Sequence, residues 1–129
     1  MNVKVFLAIA AAIAVLYGIA FLLMPAFVLA TYGMTTEPST ILSARYFGLT
    51  LLGLGLIVWL VRESADGKVL RGLLSGLAIQ SAIGVVVSIW GTLGGAMNAM
   101  GWSAALIYAV LLAGYLYFLF VGDAVAGRA

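Results

Sequence analysis

The chain has 129 residues, of which 66% are apolar and only 8% charged, with a net charge of +2 and no His or Cys. Soluble domains carry about one-quarter charged residues, so this chain lacks the polar surface to cover itself in water. Without Cys there are no disulfides and no thiolate metal sites, and the slight basic excess points to one membrane face rather than to nucleic acid.

Four apolar runs, at about 3–24, 41–61, 72–93 and 102–122, fill most of the sequence. Each matches the roughly 20 helical residues that a hydrocarbon layer ~30 Å thick requires. The expected fold is all-α: a single membrane domain folded as a compact bundle of four transmembrane helices.

The first run, Lys4 followed by residues 5–23, has the outline of a signal peptide, and Val28-Leu29-Ala30 is a weak cleavage site. It is longer than a signal-peptide apolar core, so it is expected to remain as the first helix. That helix should stop near Met24-Pro25, since proline disfavours helix at the residue before it. Residues 26–32 are apolar enough to lie at the membrane interface, and Tyr32-Gly33 reads as a helix stop. For the second helix, Thr36 or Ser39 is the expected N-cap, with Glu37 near the positive helix end. Residues 62–68 form a short polar turn that reverses at Asp66-Gly67. Its carboxylates Glu63 and Asp66 are expected to form solvated pairs with the basic residues around them. Residues 94–101 form a glycine-rich loop without charge.

Four spans put the N-terminus, the second loop and the C-terminus on one side. That side holds Lys4, Arg62, Lys68, Arg71 and Arg128, whereas the other two loops contain no Lys or Arg. The bias predicts a multi-pass protein of the cell (inner) membrane with both termini cytoplasmic. Trp59, Trp90 and Trp102 fall near span ends, as interfacial aromatic residues do.

Small residues recur at four-residue spacing in every span. The first has Ala10, Ala14 and Gly18; the second Ala44 and Gly48, then Gly53 and Gly55. The third has Gly72, Gly76, Gln80, Gly84 and Ser88, and the fourth Gly101, Ala105, Ala109 and Ala113. Helices in lipid associate by close backbone approach, which small residues permit. These stripes therefore predict tight packing, including packing of the third helix along Gly72–Ser88.

Few side chains could carry chemistry. Arg45 falls roughly 9 Å inside the second span if the helix starts near Ser39, where a charge must snorkel, pair or face a wet cavity. Glu37 is its candidate partner and Tyr46 its neighbour. Gln80 is expected near the midplane of the third span, where its amide needs partners. Tyr17 could reach the level of Arg45. Tyr108, Tyr115 and Tyr117 read as core and interface positions, Thr50, Ser81 and Ser88 as bonded to the carbonyl one turn back, and Asp123 as a partner for Arg128. The candidate ligand-binding residues are thus Arg45, Tyr46, Gln80, Tyr17 and Glu37. No catalytic or metal residue emerges: His is absent, no acidic residue lies inside a span, and no Ser-His or Cys-His pair can be built. No cofactor is expected.

The run Gly18-Ile19-Ala20-Phe21-Leu22-Leu23-Met24-Pro25, then Tyr32-Gly33, Ala44-Arg45-Tyr46-Phe47-Gly48 and Leu52-Gly53-Leu54-Gly55 resembles small bacterial four-helix membrane proteins of the DoxX-like type or of an adjacent uncharacterised family. The likeness covers the first half of the chain. It implies a membrane bundle, some of whose relatives look like partners of quinone-linked oxidoreductases, with Arg45 as the candidate residue. The expected function is non-enzymatic: binding a lipid-like or quinone-like molecule between helices, or serving as an accessory subunit to another membrane protein. The alternative is a small homo-oligomeric transporter or channel with Arg45 and Gln80 along its path. Membrane lipid is the expected partner, and no nucleic acid.

Overall fold

The computed structural model describes residues 2–121; Asp123 and Arg128 lie outside them. The described chain is helical, with α1 Val3–Leu23, α2 Pro25–Thr31, α3 Pro38–Val61, α4 Gly67–Leu93 and α5 Gly101–Phe120. All but α2 are long and apolar enough to cross a bilayer, which makes this a multi-pass membrane protein.

Local chemistry sets the helix ends. The Asn2 side chain caps α1 by accepting from the Val5 N–H at 2.9 Å. Pro25 ends α1 and opens α2, so the stretch at 26–32 is itself mostly a short helix. Its stop is a Schellman turn: Gly33 takes φ +72°, with Gly33 N–H bonded to Ala30 and Met34 N–H to Leu29 at 3.0 and 2.9 Å. Only glycine adopts that φ without a steric cost.

Two expected starts are corrected. The N-cap of α3 is Glu37, with no side-chain cap bond, rather than Thr36 or Ser39. Pro38 suits the first helical position and holds the residue before it extended, which sets the boundary. The next long helix begins at Gly67 instead of 72, because the Asp66 carboxylate accepts from the Val69 N–H at 3.0 Å and caps it. Lys68 and Arg71 therefore ride on the first turns of α4. Nor is the neighbouring cation simply solvated, since the Arg62 guanidinium lies 3.7 Å from the centre of the Trp59 ring.

Close backbone approach is concentrated in two helix pairs, α1 with α3 and α4 with α5. In the first pair a methyl group added at Gly18 would stand 2.6 Å from the Leu52 nitrogen and 2.8 Å from the Gly48 carbonyl oxygen. One added at Gly55 would meet the Ala11 carbonyl oxygen at 2.9 Å. Only hydrogen fits between these backbones.

The pairs join at the end that carries Asn2. Val3, Leu7, Ala10 and Ala11 meet Val58, then Leu70, Leu74, Leu77 and Ala78, then Tyr115, Phe118 and Leu119; Leu7 and Leu74 are wholly buried. Phe6 stands edge-on to Tyr115, with ring centres 5.3 Å apart, and occupies the space that Gly114 leaves. At the opposite end the pairs are tied by polar bonds. Asn98 donates its backbone N–H to the Tyr32 carbonyl at 2.8 Å and its side-chain amide to the Thr31 carbonyl at 3.1 Å.

Packing along Gly72–Ser88 is the third correction. Gly72 and Gly76 are exposed, with nothing within 4 Å of an added methyl, whereas Gly84 lies against the Tyr108 ring. Four-residue steps drift by about 40° on a 3.6-residue helix, so sixteen residues carry the stripe roughly 160° around it. The same drift exposes Ala109 and Ala113 while Gly101 and Ala105 stay buried.

Candidate functional site

Between the apolar core at one end and the Asn98 bonds at the other, the two pairs leave a cavity of about 380 Å³. Its size falls within the roughly 300–1,000 Å³ of ordinary ligand pockets. The walls are predominantly apolar: Ala10, Ala14 and Phe21 from α1, Leu51 and Leu54 from α3, Leu77 and Val87 from α4, Ala104 and Leu111 from α5. Small residues that let each pair close tightly also leave this space between pairs, because alanine and glycine project too little to fill it.

The polar groups on the wall are Tyr17, Tyr32, Gln80, Ser88, Tyr108 and Tyr115. Gln80 stands at the midpoint of α4, thirteen residues from either end, and is exposed. Tyr17, Tyr32 and Tyr108 are half-buried. They come from three segments: α1, the turn after α2, and α5. Tyr108 reaches its place across Gly84, where an added methyl would come within 2.7 Å of its ring. Tyr32 is held by its carbonyl bond from Asn98.

The sequence-derived candidates divide. Tyr17 and Gln80 both line the cavity. Arg45, Tyr46 and Glu37 are exposed on or beside the first turns of α3 and form no part of its wall. Thr50 behaves as expected, donating to the Tyr46 carbonyl at 2.9 Å. Sequence reasoning missed Tyr32 and Tyr108 as cavity residues. A signal for Tyr108 was present: it lies seven residues into α5 and Tyr17 six residues before the end of α1, so both sit roughly 9–11 Å from the same end of the bundle.

No Lys, Arg, Asp or Glu lines the cavity, and no cluster of metal-binding side chains occurs among the described residues. Such a wall can solvate an apolar body and hydrogen-bond one uncharged polar group. Comparison with family models, with curated proteins and with solved structures finds no match to this chain.

Proposed function

We propose that this is a non-enzymatic integral membrane protein that holds a lipid-like or quinone-like molecule between its two helix pairs. The observation that carries this reading is the cavity itself, about 380 Å³ of largely apolar space within a transmembrane bundle. Such space left empty forfeits dispersion contacts along its whole lining, and lipid chains surround it. The alternative, a transport path through Arg45 and Gln80, draws less support, because only Gln80 lines the cavity.

The test is native mass spectrometry of the detergent-extracted protein. Wild type should carry a hydrophobic molecule of defined mass, and Ala14→Phe, which places a ring in the cavity, should lose it while still folding. Absence of any bound molecule from wild type, together with no stabilisation by added apolar probes, would refute the reading.

The same proposal places the protein in the inner membrane with both termini cytoplasmic, on the charge asymmetry of its loops. A phosphatase fused after Ala129 should be inactive and a fluorescent protein fused there bright; the reverse result would invert the topology.

A further inference from the structure

We propose that the occupant of the cavity is an uncharged amphiphile whose hydrogen-bond acceptor is held by Tyr17, Tyr32 and Tyr108, and that it enters sideways from the bilayer between α3 and α4. This inference rests on reading the cavity as a ligand site.

The first observation is convergence. Three tyrosines from separate segments, Tyr17, Tyr32 and Tyr108, line one predominantly apolar wall. Each is positioned by a feature of the fold. Tyr17 precedes Gly18, which is locked in the α1–α3 seam. Tyr108 lies flat against Gly84. The Tyr32 backbone is held at both ends, its N–H by the Val28 and Leu29 carbonyls at 3.2 and 3.1 Å and its carbonyl by Asn98 at 2.8 Å. Each phenol has one O–H to donate as well as lone pairs to accept. A phenol on such a wall can turn its O–H to an outside acceptor. A carbonyl or ether oxygen fits that role, and in an apolar setting the bond gains strength from the low local dielectric.

The second observation is the absence of charge on the wall. With no Lys, Arg, Asp or Glu facing it, an ionised headgroup would be buried without a counter-charge, which apolar surroundings strongly disfavour. Arg45 is exposed elsewhere on α3.

The third observation gives the entrance. The wall residues that remain exposed are Phe47 on α3 and Gln80, Ile83 and Val87 on α4. Those contributed by α1 and α5 are buried or half-buried. The mouth therefore lies between α3 and α4, with the Gln80 amide on its rim to meet a polar group passing from lipid.

Thermal unfolding in detergent with three twelve-carbon probes tests the inference: dodecane, 2-dodecanone, and dodecanoate kept ionised at pH 9. Stabilisation by each probe gives its apparent affinity. The ketone should bind about tenfold tighter than the alkane, the worth of one or two neutral hydrogen bonds, and dodecanoate no tighter than the alkane. Combined Tyr17→Phe, Tyr32→Phe and Tyr108→Phe should erase the ketone preference and leave dodecane binding unchanged. The single Phe variants, each expected to lose part of the preference, serve if the combined protein fails to fold. Dodecane binding without a ketone preference, an equal preference in the Phe variants, or tighter binding of dodecanoate would overturn the inference alone. Failure of every probe to bind would remove the ligand site and the inference with it.

Discussion

Gly84 and Gly76 are eight residues apart on one helix and have opposite surroundings. Beside Gly84 an added methyl meets the Tyr108 ring at 2.7 Å, whereas beside Gly76 it meets nothing within 4 Å. Gly84→Leu should therefore lower stability by about 1–3 kcal/mol, as overpacking does, and push Tyr108 toward the cavity. Gly76→Leu should stay within roughly 0.5 kcal/mol of wild type, as exposed substitutions do. Thermal unfolding of both variants in detergent separates these outcomes; equal losses would mean that α4 is in contact on both faces. Arg45 is judged by the same measure. An exposed guanidinium that reaches the headgroups by its flexible stem is replaceable by lysine, whereas one held by its planar fork is not. Since Arg45 lies outside the cavity wall, Arg45→Lys should match wild type in melting temperature, in retention of anionic lipid and in probe binding. A selective loss of lipid would show instead that Arg45 grips a headgroup.

Each long helix has one face committed to its partner and one left to lipid or to the cavity. In the α1–α3 seam, a methyl added at Gly18, Gly48 or Gly55 would meet its nearest backbone atom at 2.6–2.9 Å, and backbone cannot swing aside as a side chain can. Gly48→Val should cost more than Gly84→Leu and separate the pair, read as lost expression or an unfolded circular-dichroism melt. Gly53→Ala on the same helix, with open space beside it, should be neutral or slightly stabilising. Apolar run length made the long helices legible in the sequence, and four-residue spacing made this seam legible, since Gly18 and Gly48 were marked by it. Spacing failed where helical drift accumulates, from Gly72 to Ser88. It also could not tell which helices would be partners. The cavity arises from that pairing, so Tyr32 was unreadable as part of its wall, and the level that Tyr108 shares with Tyr17 was the one sign that those two belong to it. Arg45 attracted attention because a charge in an apolar run is conspicuous, and conspicuousness is not location.

The two ends of the molecule are held by different forces: packed apolar side chains at the Asn2 end, and the hydrogen bonds of Asn98 at the other. Asn98→Ala keeps the backbone bond to Tyr32 but removes two side-chain bonds, the one donated to the Thr31 carbonyl and the one its Oδ1 accepts from the Met100 N–H at 2.9 Å, and should cost about 1–3 kcal/mol. Hydrogen exchange should then quicken around residues 31–34 and 96–100 while the protection of Leu7 and Leu74 is retained. Uniform loosening at both ends would contradict this division. The pairing also has a consequence for how the molecule is made. Its first helix pair is complete in sequence before α4 begins, and each pair is sealed by contacts of its own. Synthesis can thus deliver two finished hairpins that dock afterwards, joined by residues 62–66, of which Asp66 also caps α4. Fragments 1–66 and 67–129, produced together from separate messages and tagged differently, should find each other in the membrane and co-purify. The chamber between them would be the last feature to appear during biogenesis and the first to vanish on heating.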